Sequence, residues 1–332
     1  MPDIQKPLYS RTTVKNKLPI NLVDQDFPLF EKALSETIPA SHYWNLQNAL
    51  LLKDTVFRNF RFWQKYSHLT PLPFRSKVLR LSLLIFSKKR IEKGVWITDN
   101  WSRGYSHWFA DALMRLENVR NYLSGHTVLL PACLKQVEYT WRSLELLGYS
   151  YTFLDDKTPF RIDELILPSH ATNSGNFIPT LINSVREKLL SGLKQTKPFR
   201  KIYISRQKAK RRRLLNEEQF IDKLKQYGFE VHCFEDYTFQ QQLTLMNESI
   251  VVIGLHGAGL TNMLFMQAGT SVIELRKEDD THNNCYFSLA SALEIKYYYF
   301  KCEADDMITQ NANFKIPESE VNNLITTLAK GI

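Results

Sequence analysis

The chain has 332 residues, 44% hydrophobic and 23% charged, with 43 Lys+Arg against 34 Asp+Glu for a formal charge of +9. These are globular proportions that exclude disordered and collagen-like classes, and the length favours two domains. The charge excess is local: residues 200–213 hold eight basic residues and no acid, which leaves 35 basic against 34 acidic elsewhere and excludes a generally basic nucleic-acid coat.

In chain order, residues 1–93 read as an irregular region contributing to an N-terminal lobe. They open without an apolar leader segment, and Val78–Phe86, interrupted by Arg80, is too short to span a bilayer. From Gly94 onward apolar runs alternate with amphipathic patterns. Strands are expected at 95–98, 127–131, 151–155 and 164–168, with helices starting at His107, over 136–147 and over 178–190. After a polar link near residue 195 the grammar restarts. Strands are expected at 201–206, 229–234, 249–254, 271–275 and 296–300. Helices are expected at 216–227, 239–246, 260–266 and 285–294, with a last one from Pro317. Asn216 and Gln219 stand at capping-box positions and Gly228 at a helix stop. The predicted class is α/β: two Rossmann-like doubly wound lobes, 94–195 and 196–316, facing a cleft, with a C-terminal helix at 317–332. Cys133, Cys233, Cys285 and Cys302 form no CxxC pair and read as free thiols of a reducing compartment, so a cytoplasmic protein is expected.

The segment GLHGAGLTNMLFMQAGTSVIEL (254–275) runs from a strand through His256, Gly257, Ala258 and Gly259 into a helix. Glycines let a ligand approach the backbone, and a helix start offers unpaired N–H groups to an anion. Glu274, ending the next strand, can accept from ribose hydroxyls. A tight turn serving packing alone is the plain alternative. A dinucleotide fingerprint is another, but Asn262 stands where the third glycine belongs. Phosphate binding is the favoured reading, and hydride chemistry is not implied.

Ser205 and Arg206 close the preceding predicted strand, where a guanidinium can grip phosphate oxygens. Lys208, Lys210 and Arg211 read as a solvated loop. Stacking aromatics or a docking motif, which nucleic-acid binding needs, are missing around them.

Three motifs together resemble glycosyltransferase family 61. They are Ser205, Arg206, Arg212 and Asn216-Glu217; His256–Asn262 with Phe265, Gly269 and Ile273–Leu275; and His107, Trp108, Asp111, Arg115 and Leu116 upstream. The resemblance spans roughly residues 95–300. It implies an inverting enzyme of GT-B fold, with 94–195 as the acceptor lobe and 196–316 as the nucleotide-sugar lobe. With no visible leader, it implies a bacterial enzyme of capsule or lipopolysaccharide assembly on the cytoplasmic side of the membrane. The donor is expected to be a UDP-sugar, and the acceptor a glycan or lipid-linked saccharide. Peripheral contact with an anionic membrane and no nucleic-acid partner are also expected.

Inversion needs a base opposite a departing diphosphate whose charge is stabilised. No DxD motif is present, and the pairs Asp155-Asp156, Asp279-Asp280 and Asp305-Asp306 read as turn caps, so no cofactor or metal is expected. The diphosphate would meet Arg206, Arg212 and the helix start, with donor contacts from Ser205, His256, Gly257, Ala258, Gly259, Leu260, Asn262 and Glu274. Asp111 is expected as general base with His107, one turn away, orienting the acceptor. The competing readings are an NAD(P)-type oxidoreductase and a non-catalytic nucleic-acid module built on 200–213.

Overall fold

A computed structural model of the chain describes residues 4–68, 71–194, 196–209 and 211–331; the expected joint at residue 195 and Lys210 of the basic cluster lie outside these. The chain forms two compact units. The first comprises Met1–Thr12, Thr37–Ser174 and Glu187–Leu189, the second Thr13–Glu36, Gly175–Arg186 and Leu190–Ile332. Among the described residues the strands make three sheets. β1 (Ile4–Tyr9) belongs to the first, and β2 (Thr12–Lys15) and β3 (Ser35–Ile38) pair with each other.

The first sheet continues with β4 (Ser41–Leu52), β5 (Thr55–Arg58), β6 (Arg61–Phe62), β7 (Lys89–Val95), β8 (Thr127–Pro131), β9 (Tyr151–Leu154) and β10 (Phe160–Pro168). Its order is β6-β5-β4-β10-β7-β8-β9, with β1 also on β4. β10, β7, β8 and β9 run parallel, whereas β4 lies antiparallel to β10 and to β5. The α/β class holds, but this sheet is mixed where a doubly wound parallel one was expected. The reason is the region before residue 90, whose long strand β4 pairs with β10 from Tyr43 to Leu51. The strand expected at 95–98 is displaced as well. β7 is the charged run KRIEKGV ending at Val95; Trp96 still donates its N–H to Ile166 O of β10 at 3.1 Å, and Ile97 and Thr98 then run toward the turn at Asp99–Ser102.

The second unit's sheet contains β11 (Arg200–Ile204), β12 (Phe229–His232), β13 (Ser249–Leu255), β14 (Ser271–Lys277), β15 (Lys296–Ala304) and β16 (Phe314–Lys315). The order is β12-β11-β13-β14-β15-β16, with the first five parallel. β13 is apolar almost throughout, and both β13 and β14 are buried along nearly their whole length, as central parallel strands require. Residues from the N-terminal region pack on β15: Ile20 donates its N–H to Tyr297 O at 2.9 Å, and Phe30 meets the Tyr299 ring at 4.9 Å. In this order the winding reverses between β11 and β13. The loops leaving their carboxyl ends are Ser205–Arg213 and His256–Gly257, and such a switch point is where open α/β sheets bind ligands.

Local signals explain most helices. Gly228 ends Glu217–Lys225 with φ +76°, and Thr238 and Gln241 form a complete capping box on Phe239–Asn247. Asn216 precedes its helix as expected, but the box with Gln219 does not form. Its side-chain amide instead donates to Ile316 O at 2.8 Å and accepts from Ile316 N at 3.1 Å, tying the loop to the chain's last segment.

Candidate functional site

In the second unit, Arg206 follows β11 and folds back over its own loop. Its Nε donates to Arg212 O at 2.7 Å and Nη2 to Arg211 O at 2.9 Å, while its N–H is held by Glu217 Oε1 at 3.0 Å. Arg212 sits at φ +56°, an unfavourable backbone region for a branched-chain-free but bulky residue, and its Nη1 lies 3.4 Å from His256 O. Both guanidiniums cover Gly257. A Cβ there would lie 2.8 Å from Arg206 Nη1 and 3.5 Å from Arg212 Cζ, so a side chain at this position would displace the Arg206 guanidinium. Burial, and then the neighbouring Arg212, push the Arg206 guanidinium below its ordinary value. Among the described residues no carboxylate hydrogen-bonds or ion-pairs with either guanidinium, whose acceptors are backbone carbonyls, although the charge of Glu235 acts on Arg206 from farther off.

Beside them, Ala258–Phe265 is a 3₁₀ helix rather than an α-helix, with Gly257 at its N-cap. The N–H groups of Gly257, Ala258 and Gly259 have no acceptor among the described residues, the first bond being Leu260 N to Gly257 O at 2.9 Å. The arrangement offers two guanidiniums and three amides to one anion. Ser205 is buried and its Oγ accepts from Gln207 N at 3.2 Å, so it shapes the turn. Leu260 is core: its Cδ2 would lie 2.8 Å from a Cβ on Gly254. Asn262 is buried and donates to Gly259 O at 3.0 Å.

Glu274 is fully buried behind His256, away from any surface a ribose could reach. Oε1 pairs with His256 Nδ1 and Oε2 accepts from Tyr297 OH at 2.6 Å. Burial alone would raise this carboxyl; the charge and hydrogen bond of His256, then Arg276 and Tyr297, outweigh it and hold it below its ordinary value. The carboxylate therefore orients His256, whose ring also packs edge-on against Tyr286 at 5.0 Å. The other ring nitrogen, Nε2, has no partner among the described residues.

Four of the five remaining described basic residues of 200–213 are engaged locally. Arg200 pairs with Glu230 at 2.7 Å and Glu248 at 2.8 Å, and Lys208 pairs with Asp236. Lys201 donates to Tyr227 O at 3.2 Å, and Arg213 to Gln207 O at 2.8 Å. The acidic doublets act as turn caps: Asp155 accepts from Thr158 N at 2.7 Å, Asp280 from His282 N at 3.0 Å and Asp306 from Ile308 N at 2.7 Å.

In the first unit, the helix after β7 widens into a π turn at Trp108–Ala112, a feature frequent at functional sites. The turn brings Asp111 Oδ2 to 2.8 Å from His107 Nδ1, and Ser174 Oγ donates to the same oxygen at 3.2 Å. The Asp111 hydrogen bond raises the His107 pKa against burial, and the charges of Asp111 and Asp99 add to the rise. Trp108 is fully buried and donates Nε1–H to Ser143 at 2.8 Å, so it anchors the helix. Arg115, on the same face two turns on, is also fully buried; its Nη2 donates to Tyr66 O at 3.0 Å and Pro168 O at 2.8 Å. Burial pushes its pKa down to about 10 against the pull of Asp99 and Asp111.

A second pair was missed by sequence reasoning. His170 Nε2 lies 2.8 Å from Asp99 Oδ2, while Asp99 Oδ1 accepts from the N–H groups of Trp101 at 2.8 Å and Ser102 at 3.1 Å. Burial would raise Asp99, but the His170 hydrogen bond, the Arg115 charge and the Trp101 amide bring it down to about 2. Asp99 follows β7 and His170 follows β10, adjacent parallel strands, so both stand at carboxyl ends. The available signal was the D-N-W-S turn just past an expected strand. The two residues are 71 positions apart, so only the strand pairing joins them.

Two adjacent guanidiniums at a switch point form an arrangement suited to an anionic group, and the other unit holds two histidine–carboxylate pairs. The profile of the family described as Glycosyltransferase 61 matches residues 105–273, half of the chain, and the chain belongs to that family. Over 98 residues it is 34% identical to the EGF domain-specific O-linked N-acetylglucosamine transferase of Drosophila melanogaster, covering 29% of this chain and 18% of that protein. The proteins of the same name from Mus musculus and Gallus gallus are each 34% identical over 91 residues, 26% of this chain and 17% of theirs. The alignment thus spans less than a fifth of the length of these relatives. No helix among the described residues is long and apolar enough to cross a membrane.

Proposed function

We propose that this chain transfers a sugar, with inversion, from a nucleotide-diphosphate donor to a glycan acceptor, on a plan of GT-B type. The carrying observation is the pair Arg206 and Arg212 over Gly257, without a directly bound carboxylate and beside three amides that have no acceptor among the described residues. Like charges packed together without a directly paired carboxylate are stabilised by an arriving anion, and the departing diphosphate is one. In this reading Arg206, Arg212 and the N–H groups of Gly257, Ala258 and Gly259 hold the diphosphate. His256, steadied by Glu274, contacts donor phosphate or sugar through Nε2, while Ser205, Leu260 and Asn262 shape the loop. The guanidiniums supply the charge that a metal would otherwise supply, so transfer is proposed to need none.

The acceptor proton goes to the His107–Asp111 pair. The expected roles are exchanged here, because Asp111 Oδ2 is already occupied by His107 and Ser174. Asp111 orients the ring through Nδ1, leaving Nε2 as the general base. The family and the relatives' name make UDP-N-acetylglucosamine the first donor to test. A lipid-linked acceptor, a role in bacterial capsule or lipopolysaccharide assembly and peripheral contact with an anionic membrane complete the proposal.

The test is incubation with a panel of nucleotide sugars, with and without EDTA, reading released nucleotide by mass spectrometry. Release of UDP from one UDP-sugar, unchanged by EDTA, is expected. Loss of release in EDTA would remove metal independence. Stabilisation by NAD alone would replace sugar transfer with dinucleotide chemistry.

A further inference from the structure

Surface helices of water-soluble units turn their apolar stripe inward. The helix Phe74–Ser82, with the 3₁₀ turn Leu83–Ile85 that continues it, does the reverse. Phe74, Val78, Leu81 and Ile85 recur at spacings of four, three and four, which places them on one stripe, and all four are exposed. Phe74 is 80% and Ile85 82% exposed, with Leu79 and Phe86 beside them also open. The inward face carries Arg80 instead, 6% exposed. Its Nε donates to Asp54 Oδ1 and Thr55 Oγ1, each at 3.0 Å, and Nη1 to Ser76 O at 3.0 Å. Rolling the helix to hide its apolar stripe would strand this buried charge, so the outward orientation is locked.

Charge identifies the occupant. Residues 71–91 contain Arg75, Lys77, Arg80, Lys88, Lys89 and Arg90 and no acid. Asp54 neutralises Arg80, and the exposed Lys89 and Arg90 face Asp155 at 3.5 Å and Asp163 at 2.6 Å. Arg75, Lys77 and Lys88 have no acidic partner among the described residues. An exposed apolar stripe bordered by uncompensated cations matches the interface of an anionic bilayer, with apolar side chains entering the acyl boundary and cations meeting headgroup phosphates. We infer that Phe74–Ser82 and the following turn form the surface by which this protein lies on an anionic lipid membrane. The inference deepens the membrane part of the functional proposal and does not require the sugar chemistry.

The experiment is co-sedimentation of the whole chain with vesicles of phosphatidylcholine alone and of phosphatidylcholine mixed with phosphatidylglycerol. UDP binding and the melting temperature are measured on the same samples. Binding to the phosphatidylglycerol vesicles is expected, weakening with salt. It should fall at least about tenfold in Phe74→Ser/Val78→Ser/Ile85→Ser and also in Arg75→Glu/Lys77→Glu/Lys88→Glu, with melting unchanged. No binding to either vesicle would overturn the inference. So would binding that survives both triple variants but is lost in Lys208→Glu/Arg211→Glu, which would move the contact to the basic loop. Self-association abolished by the apolar triple, without vesicle binding, would assign the stripe to a second copy instead. Vesicle binding in a chain that fails to bind UDP would uphold this surface while removing the donor proposal.

Discussion

Arg115 in the first unit and Arg206 in the second are both largely buried guanidiniums that donate to backbone carbonyls, yet their surroundings are opposite. Arg115 stands among carboxylates: Asp99 and Asp111 draw on its charge, and the same carboxylates hold His170 and His107. Arg206 stands beside another cation, and its neighbour Arg212 lowers its pKa further, against a smaller opposing pull from Glu235. A site whose charges are balanced within the chain can position groups and move a proton. A site left with excess positive charge is complete only with an anion bound. In the proposed reading the first unit accepts the proton and the second stabilises the diphosphate.

Substitutions can separate these halves. The largest effect is expected for His107→Ala, which should lower the transfer rate by about 10²–10⁴-fold, the worth of a general base, while leaving donor affinity unchanged. A lowered donor affinity with normal turnover would instead place His107 on the donor side. Arg206→Ala should weaken UDP binding by about tenfold to a hundredfold, as expected for lost charge-assisted hydrogen bonds. Gly257→Ala sharpens this point. The new methyl would stand 2.8 Å from Arg206 Nη1, the end of a flexible side chain, so the guanidinium must move while the fold remains. UDP affinity should fall about tenfold with little change in melting temperature; a large melting change with intact affinity would make the glycine a packing residue only.

The smallest effect is one of pH. A base must be unprotonated, so kcat/KM should rise with pH through the raised pKa of His107. Asp111→Asn removes the largest cause of that rise, so the acid limb should move to lower pH. A limb in the carboxylate range of the unsubstituted protein would return the base role to Asp111. The same shift has a stability sign. The folded pKa of His107 is raised, so its pairing stabilises the fold fully below the ordinary histidine value and is lost as pH rises through the folded value.

Legibility in the sequence followed the same physical divide. β8, β13 and β14 were readable because apolar runs bounded by turns are buried whatever their partners. The loops after β11 and β13 were readable because their glycines and arginines are local in sequence. β4 was not: SHYWNLQNALLL lacks clean alternation and includes Asn48 at φ +56°, and its pairing with β10 across more than 100 residues makes it a strand. β7 is rich in charge and takes its place from its neighbours. The π turn at Trp108–Ala112 leaves no spacing signature distinct from an α-helix, and the Asp99–His170 pair exists only because β7 and β10 are adjacent. Glu274 was placed correctly along the chain but on the wrong side of its neighbour, since only the fold shows that it faces inward to His256 and Tyr297.

The central claim is that Arg206 and Arg212 of the second unit receive a nucleotide diphosphate. It is tested most directly by calorimetric titration of UDP into the unsubstituted chain and into Arg206→Ala/Arg212→Ala, with His107→Ala as the control. The account predicts saturable binding in the unsubstituted chain and in the control, and its loss in the double variant. Equal UDP affinity in all three, or none in the unsubstituted chain, would contradict it.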